Sequence, residues 1–139
     1  MGFEPQTDVQ VAIINVDAAM NATVTELDVC LLAIPTGGNF QVEMLSLGYR
    51  TNVLPADGSA VTVDIEIIDD SNSDAVDQTF VAAYVLTGQT VLVNNVIWTG
   101  SQILDPGDVV NAEFSTDGSI TTPSEGACIV VEYRVLRHS

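Results

Sequence analysis

The chain contains no lysine, and its three arginines (Arg50, Arg134 and Arg137) stand against 19 acidic residues in 139, a formal net charge of −16. Affinity for a phosphate backbone rests on Lys and Arg displacing counterions, so we expect no nucleic-acid partner and no anionic membrane partner. Histidine is almost absent too. His138 is the only one and stands next to last, where chain ends fray, so a Ser-His-Asp triad has nothing firm to build on. No G-x-S-x-G, P-loop or G-x-G-x-x-G motif occurs, and no His/Cys cluster has zinc spacing. The two cysteines, Cys30 in "DVCLLAI" and Cys128 in "GACIVVEY", have no CxxC spacing and no cation beside them, and are expected to be buried thiols. No enzyme activity and no cofactor are expected. Apolar runs stay well under 18 residues, which argues against a membrane-spanning helix. The opening "MGFEPQTD" has no basic start and no long apolar stretch, unlike a secretory leader. Its sixth residue is Gln where a myristoylation signal has Ser or Thr.

What is present is apolar sequence in short pieces. Hydrophobic residues make up 47%, and mean hydropathy is +0.33, too apolar for a disordered chain. Helical periodicity is nearly absent. Instead, Val-, Ile- and Thr-rich stretches alternate with Gly, Pro, Asp and Asn clusters. Strands are predicted at 9–16, 23–34, 39–50, 60–68, 78–86, 90–98, 108–115 and 127–136, with one helical turn near Asp17 to Ala22. Eight such strands predict an all-β chain: a single eight-stranded antiparallel sandwich, jelly-roll-like, with little or no helix. The domain occupies 9–136, preceded by an extended arm over 1–8 and followed by a tail over 137–139. Alternation puts Val61, Val63, Ile65 and Ile67 in the core, with Asp64 and Glu66 outside. In the last strand Ala127, Ile129, Val131, Tyr133 and Val135 share a face. The phase of 39–50 changes after Met44, which predicts a β-bulge there. Stretches such as "CLLAI", "FVAAYVL", "VLV" and "CIVV" are apolar on both faces, which predicts that part of the outer surface is covered by another copy of the chain. Trp98 is the single tryptophan, a core anchor or an interface anchor.

The most acidic stretch is "DIEIIDDSNSDAVD", residues 64–77. Asp70, Asn72 and Asp74 match the first half of a calcium loop. The match then fails, since Ala75 stands where Gly makes the turn and Val81 where a bidentate Glu belongs. These three residues are candidate calcium ligands; the plainer expectation is a solvated loop whose charge prevents edge pairing. Two carboxylates suffice for glycosidase chemistry, but 19 acids make some close pair inevitable. Sugar sites also favour exposed aromatics, and only 6% of the chain is aromatic. Asn21-Ala22-Thr23 is a glycosylation sequon.

The order of motifs resembles a known group. "LLAIPTGGNFQVEMLSLGYRTN" leads through Pro35, Gly37 and Gly38 into an alternating strand. "DGSAVTVDIEIIDD" carries Val61 to Ile67, "ILDPGDVVNAEFSTDGS" carries Pro106 to Val110, and "GACIVVEYRVL" carries Ile129 to Arg134. Over residues 23–136 this is similar to the small β-sandwich structural proteins of tailed-phage virions, the head decoration (cement) proteins in particular. The resemblance implies a non-enzymatic homotrimer that binds the major capsid protein on the outside of an icosahedral shell, after synthesis in the host cytoplasm. It supplies no catalytic motif. Within that frame Gly2, Phe3 and Pro5 of the arm, and Trp98, are candidate contacts with capsid or subunit. Two other classes stay open: a carbohydrate-binding or adhesin-type module, which needs Trp98, Tyr49 or Tyr84 as an exposed platform, and an acidic enzyme acting on sugars.

Overall fold

The computed structural model describes residues 3–5, 8–20, 26–37, 39–56, 61–69, 75–116 and 120–138, with side chains for all of these except 3–5, 26, 75–78, 80 and 138. Among them are nine strands: β1 (Phe3–Pro5), β2 (Gln10–Asn15), β3 (Glu26–Ala33), β4 (Phe40–Arg50), β5 (Thr62–Asp69), β6 (Ala75–Val85), β7 (Asn95–Leu104), β8 (Val109–Ser115) and β9 (Cys128–His138). One 3-10 turn, Asp17–Met20, follows β2. Seven of the eight predicted strands lie where expected, the eighth is displaced along the chain, and the three-residue β1 is added to them.

All strand pairs are antiparallel. Sheet A has the order β2-β9-β4-β7, with β1 on the same edge of β9 as β2; sheet B has the order β3-β8-β5-β6. From β2 onward the chain changes sheet at every connection except the β5–β6 hairpin. Two four-strand sheets wound in this way are a jelly-roll sandwich.

Alternation decides which side chains lie between the sheets. In β5, Val63, Ile65 and Ile67 are buried while Thr62, Asp64 and Glu66 point out. Val110, Ala112 and Phe114 of β8 meet them from the same sheet, and Met44, Leu47, Tyr49, Ile129 and Val131 face them from sheet A. Each fully buried side chain of this size contributes about 1.5–3 kcal/mol. The predicted phase change in β4 is a register break between Met44 and Ser46 on both of its neighbours. It lets Val42 and Met44, then Leu47 and Tyr49, all face inward.

The sequence "DPGD" closes the β7–β8 connection. Gly107 takes φ +95°, and Asp108 N–H donates to Asp105 O at 3.1 Å. Pro followed by a left-handed Gly is the chemistry of a type II turn.

One predicted strand is misplaced. The stretch 90–98 is not a strand throughout, because Val91 to Val93 form an exposed turn and β7 begins only at Asn95. The Asn95 side chain is the cause. It donates to Thr90 O (2.9 Å) and Tyr49 O (3.1 Å) and accepts from Thr90 N–H (3.2 Å), taking backbone groups that a strand would otherwise pair.

Candidate functional site

Two surfaces stand out, one on the outside of each sheet. On sheet B, register sets Asp28 (β3), Glu113 (β8) and Asp64 (β5) in one row, and Cys30, Asn111 and Glu66 in the next. All occupy outward positions of their strands. Oxygens from Asp28, Glu66 and Glu113 come within 4.8 Å of one another. Two unit charges 4 Å apart repel by about 1 kcal/mol even in bulk water, and no strand of sheet B contains a basic residue.

The relief comes from amides. Asn111, only 8% exposed, donates through Nδ2 to Asp28 Oδ1 (3.1 Å) and to Glu66 Oε1 (3.2 Å). Asp64 accepts the backbone N–H of Ala83 at 2.5 Å. Ala83 lies at φ +49° where β6 bulges between the partners of Val63 and Ile65, so the carboxylate satisfies an N–H that the bulge takes out of the ladder. Oxygen spacing of this kind admits a hard cation, yet exposed acidic groups are common without one.

Sheet A differs. Across its outer face register sets Ile13 (β2), Val130 (β9), Gly48 (β4) and Val96 (β7) in a row without charge; the next row is Val11, Glu132, Ser46 and Thr99. Ile13 is 69% exposed and Val96 60%. Val9 and Val11 extend the β2 margin; Val91, Leu92, Val93 and Ile103 extend the β7 margin. All three arginines lie on the middle strands β4 and β9. Arg134 Nε sits 2.9 Å from Glu43 Oε1, an ion pair whose N–H is not aligned for a hydrogen bond. Ser101 and Ser46 donate to Glu43 and Glu132 at 2.5 and 2.9 Å.

Asp17 locks the β2 end of this sheet. Its carboxylate accepts from Ser124 Oγ (2.8 Å), Ala127 N–H (2.9 Å), Gly126 N–H (2.9 Å) and Asn15 Nδ2 (3.2 Å). Burial would raise its pKa, but the hydrogen bonds from Ala127, Ser124, Asn15 and Gly126 outweigh burial and hold it below the ordinary 3.8. Beneath the sheet, burial pushes the Tyr49 phenol up to about 12. The Thr51 side chain opposes that shift, but Tyr49 Oη has no hydrogen-bond partner among the described residues.

Asp70, Asn72 and Asp74, the candidate calcium ligands, lie outside the described residues, as does Gly2. The backbone of Phe3 and Pro5 pairs with β9 opposite His138 and Leu136. Trp98 is half-buried and packs against the core, with its ring over Gly100. The predicted burial of both cysteines is corrected. Cys30 is exposed and Cys128 half-buried, and both are free; each occupies an outward position, on opposite sheets. The acidic row was missed because β3, β5 and β8 are not consecutive; only the outward positions of Asp64 and Glu66 were readable.

Comparison with known protein families, curated proteins and solved structures finds no match.

Proposed function

We propose that this chain is a non-enzymatic virion structural protein of the decoration (cement) type. It binds the major capsid protein on the outside of an icosahedral phage shell as a homotrimer and stabilises that shell. The observation that carries the reading is the contrast between the two outer faces. A coat component needs one surface that tolerates being covered and another that stays hydrated and repels its neighbours' cargo. The apolar margins of sheet A suit the first, and the acidic rows of sheet B, with no basic residue on any of its strands, suit the second. Jelly rolls serve viral coats, lectins and cupins alike, so the fold is compatible with the reading without selecting it. In this reading Gly2, Phe3 and Pro5 contact the shell, with the backbone of Phe3 and Pro5 at the edge of β9, and Trp98 on β7 is a contact at the opposite edge of sheet A.

The carbohydrate reading is less well supported, because Tyr49 is fully buried and Trp98 and Tyr84 are half-buried against the core. Tyr84 Oη moreover donates to Gln89 at 3.2 Å.

The test is co-sedimentation of the purified chain with undecorated shells built from the major capsid protein encoded nearest its gene. Saturable binding and a higher shell melting temperature are expected, and deletion of residues 1–8 should weaken attachment while leaving the sandwich folded. Absence of binding at micromolar concentration would remove the reading.

A further inference from the structure

We infer that the chain closes into a ring by setting the β2 margin of sheet A in one copy against the β7 margin of the next. This rests on the reading of the chain as a component of an assembly and names the surfaces that assemble.

Four observations carry it. The exposed apolar side chains are not spread over sheet A but collect at its two opposite edges: Val9, Val11 and Ile13 on one side, Leu92, Val93 and Val96 on the other. Between them, beyond the half-buried Val130 and the buried Gly48, the centre is polar and internally paired, through Glu43 with Arg134 and Glu132 with Ser46. A face-to-face dimer would bury that polar centre, whereas a contact from edge to edge buries the apolar margins. Secondly, β2 ("QVAIIN") and β7 ("NVIWTGSQIL") are free of charge in sequence, and the three-residue β1 beside β2 carries the single acid Glu4. Uncharged exposed edges are what natural sheets avoid unless something covers them.

Thirdly, charge narrows the choice. At −16 per chain, two copies that meet through the outer face of sheet B set acid against acid, as across the Asp28, Glu66 and Glu113 cluster. The margins of sheet A are where copies approach without that repulsion. Fourthly, Leu92 is 63% exposed at φ +67°, with its N–H tied to Thr51 O at 2.9 Å. A bulky apolar residue held outward in the left-handed region is strained, and such strain collects where a side chain is needed for contact.

Each margin exposes on the order of a few hundred Å² of apolar surface, the size at which a patch is often functional. A specific interface should clear about 1,000 Å², so two such margins reach that bound only with their polar rims added. A single contact is therefore weak. A ring, in which every copy makes two, is held by closure.

The experiment uses the full chain in solution without any shell, so its failure is distinct from failure of capsid binding. Molar mass is measured by size exclusion with light scattering at tens of micromolar, for the wild type, for Ile13→Asp (β2 margin) and for Val96→Asp (β7 margin). Far-UV circular dichroism checks folding; Val11→Asp and Leu92→Asp replace any variant that fails it. The wild type should run as a ring of three or more copies. Each variant alone should be monomeric, with contact weakened by more than about 100-fold. An equimolar mixture of the two variants keeps one intact pair of margins without closure, so it should give a heterodimer at most and never a ring. A wild-type monomer or dimer, a variant that self-associates alone, or a mixture that forms anything larger than a heterodimer would each overturn the ring.

Discussion

The two outer faces of the sandwich are built from the same alternation and reach opposite characters. In β5 and β8 every second residue points out, and several of those residues are acids: Asp64, Glu66 and Glu113. In β2 and β7 the exposed positions carry no acid or base, and Val11, Ile13, Val96 and Ile103 are among them. The inner faces hardly differ, since both are filled by Val, Ile, Leu, Met and Phe. Folding is thus indifferent to the outer choice, and the outer choice reports what each face meets. Sheet B manages its charge locally, with Asn111 bridging Asp28 and Glu66. Sheet A leaves its apolar margins, Val11 and Ile13 on β2 and Val96 on β7, exposed among the described residues.

The largest expected effect breaks sheet A at its β2 end. Asp17→Ala removes a carboxylate that accepts four hydrogen bonds and strands two backbone N–H groups, at a cost of about 2–4 kcal/mol. Urea unfolding at neutral pH checks this. The same residue sets a pH dependence. Its folded pKa is depressed below its unfolded value near 3.8, so its contribution is complete above that value and is lost as pH falls through the folded pKa. Wild type and Asp17→Ala should therefore converge in stability below about pH 4.

A smaller effect sharpens the sheet B side. Glu66→Gln removes one charge from the cluster and keeps a carbonyl for Asn111. It should stabilise the fold by up to about 1 kcal/mol at low ionic strength, and the gain should vanish near 1 M salt, where the Debye length is about 3 Å. Thermal melts in a sodium chloride series measure it. Calcium matched for ionic strength should give no extra rise in melting temperature; an extra rise lost in Glu66→Gln would assign an ion to the acidic row.

The smallest effect lies between the faces. Tyr49→Phe deletes a hydroxyl that is buried without a hydrogen-bond partner among the described residues, so stability should stay the same or rise by about 1 kcal/mol. A loss greater than 1 kcal/mol in denaturant unfolding would show that the hydroxyl is satisfied in solution.

Most of the fold was legible because period-two alternation writes the core directly. Val61, Val63, Ile65 and Ile67 were assigned inward and are buried, and the bulge after Met44 followed from the change of phase. The start of β7 was not legible, because "TVLVNN" alternates like a strand and the decision lies in one side chain, Asn95, taking backbone partners. The candidate site was legible only in part. Alternation gives the face a carboxylate occupies but not its neighbours across the sheet, and Asp28 meets Glu113 across 85 residues of chain. Both cysteines were read as buried from their apolar neighbours, whereas their parity in β3 and β9 places them outward.

The position of β9 carries the contrast between the sheets into folding. It comes last in sequence among the described strands, and β1, β2 and β4 all pair with it. Every strand of sheet B precedes it, so that sheet can complete its ladders while sheet A still lacks its central member. Until β9 arrives, "QVAIIN" lacks the strand that its backbone pairs with among the described residues. Such long-range pairing is slow and leaves an uncharged strand open to the wrong neighbour. On a ribosome, the surface that suits an assembly is also the last to be closed, and stalled or truncated chains should aggregate through β2 rather than through the acidic sheet.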